Sequence, residues 1–157
     1  MHDADILRRL DELDLELPSP PEPVASYEPV TQAGSLVFVA GQIATIDGRL
    51  VHPGKLGQQV SVDMGREGAS RAALQALSAI REHLGGSFDR LVRLLQVTVF
   101  VAADAEFIEH PNVANGASET LIAVLGQPGR HARAAVGVAS LPLGASVEIT
   151  VTAEVSG

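Results

Sequence analysis

The sequence contains no cysteine, and aromatic residues make up only 3% of its 157 positions. Without cysteine there is no disulfide framework, no thiolate nucleophile and no cysteine-based zinc site. With four Phe, one Tyr and no Trp, the core has to be built from aliphatic side chains. Few rings are also left on which bases could stack, and this argues against a protein that binds single-stranded nucleic acid.

Basic residues are scarce as well. Eleven Lys and Arg face 19 Asp and Glu, and the formal net charge is −8. Because an acidic surface repels a phosphate backbone, we expect no nucleic-acid partner. The first 18 residues, "MHDADILRRLDELDLELP", are acidic where a signal peptide is basic. No apolar run reaches the roughly 18 residues of a membrane span. We therefore expect a cytoplasmic protein with no membrane partner.

Several sequence motifs of known chemistry are absent. The chain has no GxSxG elbow, no GxxxxGK phosphate loop, no HExxH and no GxGxxG. Its five histidines are scattered, with no pair at i, i+4. We therefore expect neither a metal nor a cofactor.

The N-terminal residues predict a short amphipathic helix. Ile6, Leu10 and Leu13 recur at i, i+4 and i+7, and the helix should end before Pro18. The proline-rich "PSPPEP" of residues 18–23 then predicts a stiff, extended connector. We interpret residues 1–23 as an N-terminal extension and residues 24–157 as one domain, a length that suits a single core.

The first half of that domain predicts two strands and a helix. In "SLVFVAGQIATIDGRLV", Asp47-Gly48 is a strong signal for a tight hairpin, and Gly41 indicates a bulge or a close approach. Ser61 or Asp63 can cap the helix that follows, and Gly85-Gly86 should end it. The apolar face of that helix comprises Ala69, Ala73, Leu77, Ile80 and Leu84.

The second half predicts three strands around one more helix. Residues 94–102 alternate, with Leu95 on the same side as Val97, and residues 117–125 follow a helical period. Asn115-Gly116 is compatible with a turn or with the helix start. "RAAVGVASL" is a strand, and "SVEITVTAEV" alternates with Ser146 and Glu148 facing away from the core. The order β-β-α-β-α-β-β indicates an α+β domain, with one sheet and its helices on one face.

Four separated segments resemble motifs of the RidA/YjgF/L-PSP family, the reactive intermediate deaminases. "HARAAVGVASLPLGASVEI" is similar to its P-A-R-S-x-V-x-V-x-x-L-P-x-x-x-x-V-E-I signature, in which Arg133 and Glu148 match the arginine and the glutamate. "VFVAGQ", "VTVFVAA" and "NGASE" resemble three other family segments, and Tyr27 matches a family tyrosine. His131 replaces a proline of the signature, and Ala134 and Ala135 replace a common Ser-Cys. The chain therefore resembles a divergent subgroup.

The resemblance implies a fold, an assembly and a reaction. It implies a chorismate-mutase-like subunit with a single mixed sheet and two main helices on one face. Three subunits would form a homotrimer, with the sheets facing inward and a cleft between neighbours. Family members hydrolyse 2-imino or enamine acids, small carboxylates, to 2-oxo acids and ammonia.

The same resemblance implies roles for five residues. Arg133 would grip the substrate carboxylate, and Glu148 would position the attacking water. Asn115, Tyr27 and Gly41 would complete the substrate site. The chemistry is consistent with this, since a guanidinium suits a carboxylate bidentately and an imine carbon is already electrophilic.

Each of these residues also has a simpler interpretation. Arg133 can be an exposed strand-end cation, and Glu148 can lie on a solvated sheet face. Asn115 can cap a helix, Tyr27 can cover an edge, and Gly41 can be structural. His131 can be a second cation or a rim residue. Two other functions remain: a non-catalytic carboxylate-binding protein of the same fold, and an L-PSP-type endoribonuclease.

Overall fold

The computed structural model describes residues 1–20, 22 and 26–157. Its strands are β1 (Val30–Ala33), β2 (Leu36–Ile43), β3 (Thr45–Ile46), β4 (Arg49–Leu50), β5 (Leu91–Ala102), β6 (Ala132–Val138) and β7 (Val147–Val155). Its α-helices are α1 (Asp3–Glu12), α2 (Val62–His83) and α3 (His110–Leu125). Five of the strands form a mixed sheet in the order β1-β2-β7-β5-β6, in which only β5 and β6 are parallel.

One face of this sheet is covered by helices and the other is open. Along β7, residues 147, 149, 151, 153 and 155 are buried, and the residues between them are only partly buried. α2 and α3 pack on the buried face, and their side chains share one core cluster with those of β5 and β7. The predicted α+β fold, with one mixed sheet and two main helices on one face, is therefore confirmed.

α3 begins earlier than the sequence pattern indicated. It starts at His110 with Pro111 in its first turn, where proline is well tolerated, so Pro111 does not interrupt it. Asn115-Gly116 lies inside the helix, and the alternative of a turn there is wrong. A β-carbon on Gly116 would lie 2.7 Å from Cα of Arg66 on α2. Glycine is needed at this point because the two helix backbones approach closely.

The N-terminal helix packs into the same core as the sheet. Ile6 and Leu10 of α1 are fully or almost fully buried, whereas Leu13, expected on the same face, is exposed just after the helix ends. Asp3 accepts hydrogen bonds from Nε and Nη2 of Arg81, both 3.0 Å, and from the backbone N–H of Phe88 at 2.9 Å. The proposed boundary between residues 23 and 24, and part of the proline-rich connector, lie outside the described residues.

Four details of the strand predictions are wrong. The Asp47-Gly48 hairpin exists, but it joins β3 and β4 in a separate two-stranded sheet. The strand that pairs with the outer side of β2 is β1, which the sequence analysis missed. Leu95 is not buried beside Val97, because the pairing of β5 with β7 shifts register between Leu94 and Gln96. Ser146 lies just before β7 and is buried, with its hydroxyl on the side of Gly68 of α2.

Other predictions hold. Ser61 caps α2 by accepting a 3.2 Å hydrogen bond from the backbone N–H of Met64. The helix ends before Gly85 and Gly86, both of which adopt positive φ. Among the described residues, no helix combines the length and the apolarity that a membrane crossing requires.

Candidate functional site

Arg133 is held by three hydrogen bonds to α3. It lies on β6, the edge strand that runs parallel to β5. Its Nη1 donates to Asn115 Oδ1 at 2.8 Å and to Ser118 Oγ at 3.2 Å, and its Nη2 donates to the carbonyl of Pro111 at 3.4 Å. Arg133 and Asn115, both predicted as site residues, are thus brought together.

The guanidinium of Arg133 has hydrogen-bond donors left over for a ligand. All three acceptors are neutral, and no carboxylate of the described residues lies within ion-pair distance. A guanidinium has five N–H groups, so two remain without an acceptor in the described part of the chain. Two oriented donors on an exposed cation are what a carboxylate requires for a bidentate contact.

Glu148 lies on the other side of the sheet, on the open face of β7. Its Cα partner across β5 is Phe100, and both side chains are half-buried. Burial raises the pKa of its carboxyl above the ordinary value, because desolvation disfavours the charged form. Within the described residues no hydrogen bond or ion pair involves this carboxylate.

Gly41 lies against the Glu148 side chain. The pairing of β2 with β7 shifts register between Val39 and Gln42, so Gly41 is part of the predicted bulge. A β-carbon at Gly41 would overlap Oε1 of Glu148 and lie 2.8 Å from its carboxyl carbon. Both interpretations of Gly41, a bulge and a close approach, are therefore confirmed.

A cavity of about 1000 Å³ opens beside Glu148. Tyr27, which is 47% exposed, lines it, as does Gly41. The cavity therefore unites three of the predicted site residues, but Arg133 and Asn115 do not line it. Its other walls come from the N-terminal segment, the β3–β4 hairpin and α2, through Pro18, Ser19, Glu22, Asp47, Arg71 and Gln75.

Within one chain, Arg133 and Glu148 point to opposite faces of the sheet. Arg133 is the Cα partner of Val97, which is buried on the helix-covered face, and it contacts α3. Glu148 is the partner of Phe100, on the open face. Because partner residues on neighbouring strands point to the same side, the two functional candidates cannot meet around one ligand within a single chain.

Two further groups of polar residues lie at these sites and were missed or left open by sequence reasoning. Arg71 is the one cation among the described residues that line the cavity, and its Nε donates to the carbonyl of Thr45 at 2.8 Å. Its signal was the i, i+4 spacing with Gln75 on a helix that is otherwise rich in alanine. The second group is His131 with Ser118, which lie beside Arg133.

Comparison with known proteins agrees with this architecture. Residues 8–155 match the family described as "YjgF/chorismate mutase-like, putative endoribonuclease". Protein TCP17 of Trypanosoma cruzi is 37% identical over 152 residues, which cover 96% of this chain and 94% of that protein.

Solved structures show the same likeness. A protein of unknown function from Agrobacterium tumefaciens, Atu1372, is 40% identical with a TM-score of 0.93, over 98% of this chain and 94% of that one. A protein from Shewanella oneidensis MR-1 described as a putative endoribonuclease is 28% identical with a TM-score of 0.90, over 95% and 98% of the two chains. The chain therefore belongs to the YjgF/chorismate-mutase-like family, as its sequence motifs indicated, and it has the fold of that family.

Proposed function

We propose that this protein hydrolyses reactive 2-imino and enamine acids to 2-oxo acids and ammonia, at sites formed between subunits of a homotrimer. The observation that carries the proposal is the separation of one functional set into two half-sites. The anchor half-site contains Arg133 and Asn115, and the cavity half-site contains Glu148, Tyr27 and Gly41. Each half-site has what the other lacks, so a second subunit would complete both.

Exposed apolar side chains support an assembly through the open face. Leu36 and Phe38 of β2 are 37% and 43% exposed, and Val136 of β6 is 41% exposed. Phe38 is the partner of Thr152, and Val136 is the partner of Phe100, so these side chains share the face of Glu148. A sheet face that carries such residues is stabilised when another subunit covers it.

The anchor half-site fits the carboxylate of the substrate. The two unused N–H groups of Arg133 would bind its two oxygens, and the bonds to Asn115 and Ser118 would fix the plane of the guanidinium. Lysine could neutralise the same charge, but a single ammonium would not orient the ligand as well.

The cavity half-site fits the chemical step. A water molecule adds to the imine carbon, and its oxygen forms the new C–O bond while the imine nitrogen gains a proton. The hydroxyl proton of this adduct then passes to the nitrogen as the C–N bond breaks, ammonia leaves, and the 2-oxo acid remains. Glu148 would accept each of the two protons from the oxygen and deliver it to the nitrogen, the first as water adds and the second as ammonia departs. Burial raises the pKa of its carboxyl toward neutral pH, and this favours such an exchange.

Mixing two inactive variants tests this arrangement. Arg133→Ala and Glu148→Gln should each abolish the acceleration of imino-acid hydrolysis while leaving the trimer intact. When the two chains are co-expressed in equal amounts, a trimer with shared sites should regain about one quarter of the wild-type sites, because that fraction pairs an intact Arg133 with an intact Glu148. The substrate is generated in the assay by an amino-acid oxidase, and its decay is followed by absorbance.

The control is the same mixture made from one variant alone, which should stay inactive. No recovery in the mixed trimer, or full activity of Arg133→Ala, would refute the shared site. If wild-type protein binds 2-oxobutanoate in calorimetry but accelerates nothing, the protein is a carboxylate-binding protein. Salt-sensitive RNA cleavage that disappears in Arg133→Ala would identify an endoribonuclease instead.

A further inference from the structure

The half-buried imidazole of His131 joins a tight turn to the Arg133 anchor. Its Nδ1 lies 2.6 Å from the carbonyl oxygen of Gly129, in the 3-10 turn before β6. Its Nε2 lies 3.0 Å from the hydroxyl oxygen of Ser118 on α3. The same hydroxyl oxygen accepts the 3.2 Å hydrogen bond from Nη1 of Arg133. These three contacts form one continuous chain from backbone to guanidinium.

The direction of every hydrogen bond in this chain follows from its ends. A backbone carbonyl can only accept, so Nδ1 of His131 has to carry a proton. In the neutral ring Nε2 then has a lone pair and accepts the hydroxyl proton of Ser118. Arg133 can only donate, so the Ser118 oxygen accepts from it. All donors and acceptors match when His131 is neutral and protonated on Nδ1.

We propose that His131 is a positioning residue for Arg133, acting through Ser118 to fix the guanidinium that binds the substrate carboxylate. The inference rests on the proposed role of Arg133 as the carboxylate anchor. It replaces both earlier interpretations of His131, a second cation for the ligand and an uninvolved rim residue.

A protonated imidazole would disturb this arrangement. Nε2 would become a donor, so the Ser118 oxygen would have to accept from two cations. Burial, and the nearby charge of Arg133, hold the pKa of His131 below its ordinary value, although the bond to Gly129 opposes them. Other charged side chains on the neighbouring elements are engaged elsewhere: Glu119 of α3 with Arg66, Arg130 of the turn with Gln127, and Arg9 of α1 with the carbonyl of Val124. His110, the other titratable residue of α3, packs against the ring of Phe107.

His131 and Ser118, the two side chains that link the backbone to Arg133, are also positions where the sequence departs from the family motifs. His131 stands where the signature has proline. Ser118 stands where N-x-x-Y-E, the family segment that "NGASE" resembles, has tyrosine. The structure brings these two departures into direct contact, 3.0 Å apart. The histidine that replaces proline therefore contacts the serine hydroxyl that replaces tyrosine, and it can orient that hydroxyl.

Binding of 2-oxobutanoate to single and double variants tests the proposal. Calorimetry at pH 7.5 should show about tenfold weaker binding for Ser118→Ala and for His131→Ala. The double variant should bind 2-oxobutanoate no more weakly than either single variant, because both changes break the same series of hydrogen bonds. His131→Gln, whose amide oxygen can accept from Ser118, should recover much of the affinity. Circular dichroism checks that each variant is folded.

The matched control is His83→Ala. His83 also bonds a side chain, Gln32 at 2.9 Å, but that partner lies on β1, at the opposite edge of the sheet from Arg133. This variant should bind 2-oxobutanoate like wild type. Additive losses in the double variant, or unchanged affinity in both single variants, would overturn the positioning role.

The pH dependence of binding separates the three interpretations of His131. A positioning residue predicts that affinity falls in acid as the imidazole takes up a proton, and that this fall is absent in His131→Ala. Tighter binding in acid would identify a direct cation, and identical profiles of the two proteins would identify a rim residue; either result refutes the proposal. Glu148 is present in both proteins, so its titration cancels in the comparison.

The tautomer gives a readout that is independent of ligand and activity. Nitrogen-15 NMR of the full-length protein should show His131 protonated on Nδ1 at neutral pH, with a pKa below the ordinary value for histidine. A ring protonated on Nε2 would overturn the proposal even if hydrolysis were observed. If the tautomer and the binding results are as expected but nothing is hydrolysed, the positioning role stands and the proposed reaction fails.

Discussion

The anchor half-site and the cavity half-site differ in how their charged group is surrounded. Arg133 is exposed, but three neutral acceptors of α3 fix its guanidinium. Glu148 is half-buried beside a cavity of about 1000 Å³, and no hydrogen bond of the described residues engages its carboxylate. A prearranged cation suits ligand binding, whereas a desolvated, unpaired carboxylate suits proton transfer. Under the proposed function, this difference assigns substrate binding to the anchor half-site and the chemical step to the cavity half-site.

Apart from replacement of Glu148 itself, the change in the cavity half-site with the largest expected effect is Gly41→Ala. The new methyl group would displace the Glu148 carboxylate, a flexible group that can move without unfolding the strand. Because a shift of about 1 Å can lower a rate about 100-fold, hydrolysis should fall by roughly that factor, with little change in melting temperature. A substituted Gly34, at the β1–β2 turn, is no suitable control, since its φ is positive.

Binding measurements sharpen this prediction. Gly41→Ala should bind 2-oxobutanoate nearly as well as wild type, because the anchor half-site is untouched. A variant that loses binding and hydrolysis equally would show that the two half-sites are not separate in function. Ala40→Gly, on the neighbouring residue and without added volume, serves as the control.

A smaller effect, on the free energy of unfolding, is expected at Asp3. This residue attaches the N-terminal segment to the core, and part of that segment lines the cavity half-site. Asp3→Asn would replace a carboxylate that accepts three hydrogen bonds from Arg81 and Phe88. Asp3 is 19% exposed, so we expect a loss of about 1–2 kcal/mol in the free energy of unfolding at pH 7. Urea denaturation measures it.

The pH dependence of this loss has a definite sign. Arg81 and the backbone of Phe88 lower the pKa of Asp3 in the folded state. Its contribution is therefore present above the unfolded pKa and is lost as the pH falls through the folded pKa. The difference between wild type and Asp3→Asn should shrink below pH 4, and a constant difference would contradict the assignment.

The smallest effect expected is on stability rather than on hydrolysis, and it is a slight stabilisation by Glu148→Gln. Burial raises the pKa of Glu148, so the folded protein holds its proton more tightly than the unfolded chain. Stability then falls as the pH rises through the interval between the unfolded and the folded pKa. The variant, which has no charge to desolvate, should melt slightly higher than wild type at pH 7 and equally at pH 3.5.

Thermal melts of both proteins across this pH range check the prediction. A lower melting temperature of Glu148→Gln at pH 7 would show that the carboxylate already has a favourable partner in the assembled protein. Arg133→Gln serves as the control. It removes a charge but no carboxyl group with a raised pKa, so the difference between its melting temperature and that of wild type should not change across this pH interval.

Several parts of the fold could be predicted because their pattern is local. The alternation of β7 follows directly from a strand with one buried face, and Ser61 and Gly85-Gly86 mark the ends of α2. β1 could not be found this way. It is a four-residue edge strand in which three residues are exposed, so no alternation of apolar and polar residues marks it.

Other features depend on contacts that no local pattern records. Asn115-Gly116 has the composition of a turn, but its glycine serves the close approach of α3 to α2. Arg133 and Glu148 could be selected as site residues, yet their faces depend on how β6 and β7 pair with β5. The bond between His131 and Ser118 spans 13 positions and arises only when the turn folds back on α3.

The sheet order has a consequence for biosynthesis. β7 lies between β2 and β5, although it is the last strand of the chain to be made. Before β7 is in place, the five-stranded sheet can contain only two separate pairs, β1–β2 and β5–β6. Closure of the core therefore waits for β7, and a truncation before β7 should yield an aggregation-prone product.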